Sequence, residues 1–242
     1  MVATSSDNRP SPRKTGQLCD AVADAGAGLL SVTFPRSAWT SKRYAKEEQV
    51  GRIIVTEFVS LDGVMEDPGG SEDFERGGWA FATNRRAEGD KFKLDEALDA
   101  EALLLGRVTY EGFAAAWPSR EGEFADKFNT MPKYVVSSTL EQPGWRNSTV
   151  LTGAVEEEVA TLRQGAAGDV VVHGSAQLVQ TLLAHDLVDE LRLMVFPVVL
   201  GAGKRLFGGT SGKKPLRLAD AKTVGDGVTI LIYQPARQDA KG

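Results

Sequence analysis

Four aliphatic runs, Ile53-Ile54-Val55-Thr56-Glu57-Phe58-Val59, Ala102-Leu103-Leu104-Leu105, Tyr134-Val135-Val136 and Asp169-Val170-Val171-Val172, are spaced so that segments of helical periodicity fit between them. That alternation constrains the fold more than any other feature of the chain. Short β-branched and aliphatic runs read as strands buried on both faces. Between them, Asn84 to Leu98 and Thr109 to Ala116 read as helices. Val155, Val159 and Leu162, and later Leu178, Val179, Leu182 and Leu183, recur at helical spacing. Strands separated by helices pair in parallel, because a parallel neighbour requires a crossover.

The pattern changes after His185. Glu190 to Phe196 half-alternates, and Leu216 to Val224 and Val228 to Tyr233 flank Gly225-Asp226-Gly227, a hairpin signal. The expected fold is therefore α/β: a mixed sheet, mainly parallel with antiparallel C-terminal strands, with helices on both faces.

Composition narrows the function classes. With 42% hydrophobic and 25% charged residues in 242, the chain has a globular balance and the length to bury a core without staples. A net charge of -5 offers no basic field for nucleic acid or anionic lipid. The longest apolar stretch, Leu193 to Ala202, is broken by Pro197 and falls short of the roughly 20 residues of a spanning helix. No membrane partner is expected, and the cytoplasm is the expected compartment. Cys19 is the single cysteine, so neither a disulfide framework nor a multi-cysteine metal site is expected. His173 ends a strand run and His185 a helix, so they are not a metal pair. Residues 1–50, with turn-rich Ser5 to Pro12 and small-residue Ala21 to Gly28, are expected to be a flexible extension. The domain is expected over 51–237 and a short tail over 238–242.

Three turns follow aliphatic runs and could carry chemistry. In Val172-His173-Gly174-Ser175-Ala176-Gln177 a strand ends, a glycine turns, and a helix starts near Ser175. Helix N-termini present unpaired N–H groups and a positive dipole end that suit phosphate, although such a turn is as often structural. Leu105-Gly106-Arg107-Val108-Thr109 repeats the arrangement and adds a guanidinium and a hydroxyl. Ser137-Ser138-Thr139 is a hydroxyl cluster at a third strand end. Open α/β sheets bind ligands at the carboxyl ends of their strands, so the three are more informative together than singly. The Gly-x-Gly-x-x-Gly fingerprint is absent. Gly201-Ala202-Gly203-Lys204 is followed by Arg205 rather than Ser or Thr, which excludes a P-loop.

Taken in order, Ser60-Leu61-Asp62-Gly63, Leu104-Leu105-Gly106-Arg107-Val108-Thr109-Tyr110, Lys133-Tyr134-Val135-Val136-Ser137 and Gly174-Ser175-Ala176 resemble the dihydrofolate reductase superfamily. Leu187-Val188-Asp189-Glu190-Leu191 and Phe196-Pro197-Val198-Val199-Leu200-Gly201 place the resemblance in the branch of the bacterial riboflavin-biosynthesis reductase domain and reductase-like proteins. It spans Arg52 to Pro235. The resemblance implies NADPH as cofactor, with Arg107 and Ser137-Ser138 at the adenosine 2′-phosphate and Thr109 and Gly174-Ser175-Ala176-Gln177 at the pyrophosphate. Gly106 and Thr139 complete the set. Asp62 and Gly63 would border nicotinamide and substrate, Asp62 being the candidate catalytic proton donor or else a turn-forming residue. Dihydrofolate reductases carry a carboxylate on the first helix; Glu75, Glu88 and Asp90 are near that place only in sequence, so dihydrofolate is not implied. Trp79, Phe81, Phe113 and Trp117 either wall a flat substrate or belong to the core. The implied function is hydride transfer from NADPH to a small flat heterocycle; the alternative is a non-catalytic NADPH-binding protein. A homodimer is expected through the late antiparallel strands, where Leu191, Leu193 and Val195 share a face.

Overall fold

A computed structural model describes residues 50–208 and 212–236. The expected N-terminal extension up to residue 49 and the expected tail lie outside the described residues. In chain order the elements are β1 (Arg52–Ser60), α1 (Trp79–Ala82), α2 (Arg86–Asp99), β2 (Ala100–Gly106), α3 (Arg107–Ala116), α4 (Glu123–Thr130) and β3 (Lys133–Val136). They continue with β4 (Ser148–Leu151), α5 (Val155–Gly165), β5 (Asp169–His173), α6 (Ala176–Ala184), β6 (Glu190–Phe196), β7 (Leu216–Val224) and β8 (Val228–Pro235). Each expected strand and helix is present. Three short elements, α1, α4 and β4, are additions to the sequence reading.

The strands form one sheet of order β4-β3-β2-β5-β1-β6-β8-β7. The six strands from β4 to β6 in that order pair in parallel, and β8 runs antiparallel to both β6 and β7. The chain lays β2, β3 and β4 to one side of β1, then inserts β5 between β2 and β1. That insertion makes the carboxyl ends of β3, β2, β5 and β1 consecutive along one edge of the sheet, each followed by a turn.

Both faces of the sheet are covered. Ile53, Val55, Val170 and Val172 pack under Val159 of α5 and Leu178, Val179 and Leu182 of α6. Ile54, Leu103, Leu105 and Val171 pack under Ala97 of α2, Tyr110 of α3 and Phe128 of α4. Burying each such aliphatic side chain contributes about 1.5–3 kcal/mol. A third cluster gathers Trp79, Met194, Phe196, Val228 and Ile230 where the antiparallel strands begin.

One expectation needs correction here. Parallel pairing sets Leu191 opposite Val55, Leu193 opposite Glu57 and Val195 opposite Val59. These three residues therefore pack within the chain, on the α6 side, and are not a free pairing face. Among the described residues no helix is long and apolar enough to cross a membrane.

Candidate functional site

The β2–α3 and β5–α6 turns are interlocked. The hydroxyl of Ser175 accepts a hydrogen bond from the Gly106 amide (2.9 Å) and donates to the His173 carbonyl (3.2 Å). The Ser175 amide donates to Oγ1 of Thr109 (3.0 Å). Gly174 and Ser175 both have left-handed backbones, φ +58° and +62°. Gly174 has a second reason to lack a side chain: a Cβ there would stand 3.0 Å from Thr109. Ser175 is the N-cap of α6 but makes no capping hydrogen bond, because its hydroxyl is spent across to β2.

The consequence is two adjoining helix N-termini. Among the described residues, the amides of Ala176, Gln177 and Leu178 on α6 have no hydrogen-bond partner. The start of α3 adjoins them, with Gly106 as its N-cap and no side-chain capping hydrogen bond. Unpaired first-turn amides together with two positive dipole ends suit a group carrying two negative charges side by side. Arg107 is the first residue of α3, exposed, and paired with Glu111 at 3.0 Å. An exposed pair of this kind is worth about 0–1 kcal/mol and yields readily to a stronger anion.

The third turn follows β3, whose last residue Val136 is in register with Gly106. Ser137 is buried, and its hydroxyl accepts from the amides of Thr139 (3.1 Å) and Leu140 (3.0 Å). Ser137 thus shapes the turn, while Ser138 and Thr139 stand exposed beside the start of α3.

Asp62 is a brace. Its carboxylate accepts from the Ser60 hydroxyl (2.7 Å) and from the amides of Leu200 (3.0 Å) and Gly201 (2.9 Å). Arg205 also bonds to the Asp62 carbonyl and lies 3.4 Å from its carboxylate. These hydrogen bonds, the Ser60 hydroxyl foremost, hold the Asp62 carboxyl well below the usual aspartate range. Its hydrogen bonds make Asp62 a structural brace, and a group so firmly ionised is a poor proton donor. The Gly201-Ala202-Gly203-Lys204 segment supplies the other half of the clamp. Met65 donates to the Lys204 carbonyl (2.9 Å) and Leu206 to the Gly63 carbonyl (3.0 Å). Gly203, at φ +112°, sits where a Cβ would meet Val64 at 2.7 Å.

The four aromatic candidates do not form one wall. Trp79 is buried edge-on against Phe196, its indole N–H bonded to the Glu66 carbonyl (2.9 Å), whereas Phe81 is 67% exposed. Phe113 and Trp117 belong to a separate group with Phe124, Phe128 and His173. Burial, and secondarily Lys93, holds the His173 imidazole well below its ordinary value, which makes it a neutral ring.

Several polar residues at this edge escaped the sequence reading. The acid of α2 that faces β1 is Glu96, not Glu75, Glu88 or Asp90. It pairs with Lys93 (2.6 Å) and Arg192 (3.4 Å) and accepts from the Thr56 hydroxyl (3.0 Å). Lys93 also donates to Thr56 (2.7 Å) and lies 5.5 Å from the Phe58 ring centroid. On β1 itself Glu57 is 5% exposed and accepts from the Gly174 amide (3.0 Å). The available signal was a charged residue inside an otherwise apolar central strand, where an unpaired charge is costly and a role is implied.

This edge, with its glycine turns at the ends of adjacent central strands, agrees with what the chain is similar to. The protein YyaP of Bacillus subtilis (strain 168) is 28% identical over 187 residues, covering 75% of this chain and 94% of that one. YwjB of the same organism is 27% identical over 172 residues, covering 71% and 91%. Among solved structures, a Shewanella sp. PV-4 protein named for riboflavin biosynthesis superposes with a TM-score of 0.63 at 22% identity, covering 77% of this chain and 99% of that one. The Thermotoga maritima diaminohydroxyphosphoribosylaminopyrimidine deaminase/5-amino-6-(5-phosphoribosylamino)uracil reductase gives 0.54 at 14% identity, covering 78% and 58%. Structural likeness at these identities speaks for the fold alone. The RibD C-terminal domain model, by contrast, matches residues 52–230 of the sequence itself. That match takes in β1 to β7, the start of β8 and all three turns, and by it the chain belongs to the RibD C-terminal domain family.

Proposed function

We infer that the protein is an NADPH-dependent reductase of a small flat heterocycle. The observation that carries this reading is the pair of interlocked helix N-termini, with the amides of Ala176, Gln177 and Leu178 at the start of α6 without a partner among the described residues. Such a donor set fits a pyrophosphate, one phosphate to each helix start. Ala176 and Gln177 on α6, and Thr109 on α3, would hold it. Gly174 and Gly106 carry no side chain to obstruct its approach. Arg107, released from Glu111, and the exposed Ser138 and Thr139 would take the 2′-phosphate, the bidentate guanidinium supplying the preference for NADPH over NADH.

Bound there, NADPH supplies the hydride, and the chain supplies orientation and a dry face. The substrate's flat ring would lie by the ends of β1 and β5, near Phe58, the neutral His173 ring and Phe113. The Asp62 clamp fixes the loop on that side. With Asp62 ionised, solvent delivers the proton that completes reduction of a C=N, C=C or C=O group. A homodimer remains part of this reading, formed now through the edge strand β7, which leaves Leu218 48% exposed and one backbone edge unpaired.

The test is NADPH oxidation followed optically with a panel of pyrimidine, pteridine and other flat heterocycles. Turnover with any of them supports the reductase. NADPH binding without turnover across the panel would favour a non-catalytic nucleotide-binding protein instead.

A further inference from the structure

Glu57 lies in the middle of the sheet, on the strand beside β5, and only one of its oxygens is used. Oε2 accepts the Gly174 amide at 3.0 Å. Oε1 is fully buried and has no hydrogen-bond partner. A buried carboxylate with an empty oxygen is costly, while a buried carboxylic acid is much less so. Gly174 is the first residue of the turn that presents the α6 N-terminus, so the Glu57 carboxyl touches the backbone any anion at that helix would meet.

We propose that Glu57 is a positioning residue that couples anion binding at the start of α6 to uptake of one proton. This inference rests on the reading of that helix start as a phosphate site. As a neutral acid, Glu57 holds the Gly174–Ser175 turn without setting a negative charge beside the incoming phosphate. As a carboxylate, it would repel the phosphate and compete for the same positive helix end. The proton comes from solvent and rests on the Glu57 carboxyl; no bond is otherwise made or broken.

The surroundings favour the neutral form. Glu57 shares a face of β1 with Val55 and Val59 and stands opposite Leu193 of β6, all four on the face covered by Leu178 and Val179 of α6. Thr109 of α3, which packs against the Gly174 turn, is uncharged, and His173 of β5, whose ring lies with Phe113 and Phe128 on the opposite face, is neutral. The charged groups that act on it are Lys93, which favours the carboxylate, and Glu96, which opposes it. Lys93 is already committed to Glu96 at 2.6 Å. Burial outweighs both these charges and the Gly174 hydrogen bond, and it raises the Glu57 carboxyl well above the usual glutamate range.

The experiment uses the full chain and two anions: NADPH, and sulfate, whose own charge is constant from pH 5 to pH 9. Affinities are measured across that range by calorimetry and by the amide shifts of Ala176 to Leu178, for the parent and for Glu57→Gln. Glutamine keeps the acceptor for Gly174 and cannot ionise. Carbon-13 spectra of labelled glutamate carboxyls locate the Glu57 midpoint with and without NADPH. The expected result is a raised midpoint that moves higher still with NADPH. Parent affinity should fall by up to about tenfold per pH unit above the midpoint, while the variant lacks that fall. The same pH profile in a folded Glu57→Gln would overturn the proposal, as would a Glu57 already ionised at pH 6. Should the variant fail to fold, the parent decides alone: a midpoint that no bound anion, NADPH or sulfate, moves overturns it. If NADPH fails to bind while sulfate shows the Glu57-dependent profile, the reductase reading falls and this inference stands. If neither anion binds at any pH, both fall.

Discussion

Two carboxyl groups at the carboxyl end of β1 have opposite fates. Glu57 is buried, has one oxygen unpartnered, and is pushed toward its neutral form. Asp62, just past the strand, is only part-buried, has both oxygens hydrogen-bonded, and is held as a carboxylate. The same functional group on the same strand end is thus driven one way by desolvation and the other by donated hydrogen bonds. The difference divides the edge of the sheet in two. The Gly174 side has unused amides and a carboxyl whose charge is able to change, the properties of a place where something binds. The Asp62 side is saturated: loop 62–66 and loop 198–206 are sewn together, and their charges are fixed. The first is where the proposed anion site lies, and the second is scaffold beside it.

The largest break should come at Gly174. Gly174→Val places a β-branched residue in a left-handed backbone, a cost of about 1–3 kcal/mol, and drives its Cβ to within 3.0 Å of Thr109. NADPH binding should be lost, with a melting temperature lowered by about 2–4 °C for each kcal/mol in a domain of this size. Unchanged NADPH affinity in this variant would erase the distinction between the two regions.

Asp62→Asn should separate them from the other side. Asparagine keeps the shape but weakens the acceptor for the Leu200 and Gly201 amides, so the melting temperature should fall while turnover per folded molecule stays near that of the parent. The sign of the pH dependence follows from the depressed carboxyl. Asp62 contributes stability above the ordinary aspartate range, about pH 4, and loses it as pH falls through the folded value. The gap in melting temperature between parent and variant should therefore narrow on acidification. A gap that is constant down to acid pH, or a loss of turnover without loss of stability, would return Asp62 to the role of proton donor.

Arg107→Ala should have a smaller and more selective effect. One charge-assisted contact is worth roughly 1.5–3 kcal/mol, offset by the about 0–1 kcal/mol released when its exposed pair with Glu111 need not be broken. NADPH affinity should drop and NADH affinity should not, measured side by side. An equal drop for both would mean that Arg107 does not read the 2′-phosphate.

Much of the fold was legible because the central strands are apolar on both faces and so stand out as unbroken runs. The short elements were not. The four residues of β4, Ser148–Leu151, lie at a sheet edge with a half-buried, half-polar pattern, and α4 is only eight residues long behind Gly122 at φ +100°. Neither is long enough for periodicity to speak. At the site, glycines and hydroxyls in turns were visible because turn chemistry is local. That Ser175 and Ser137 spend their hydroxyls on the scaffold was not visible, because their partners come from other strands or from a turn's own amides. Glu57 and Glu96 were missed for a related reason: each lies inside a regular element and acquires its meaning from a neighbour tens of residues away.

The most direct test of the account is calorimetric titration of NADPH and NADH into the full chain at neutral pH. NADPH should bind at one site per chain and more tightly than NADH by about tenfold or more, the effect of one charge-assisted contact. Equal affinities, or no binding of either dinucleotide, would contradict it and leave the paired helix starts as scaffold alone.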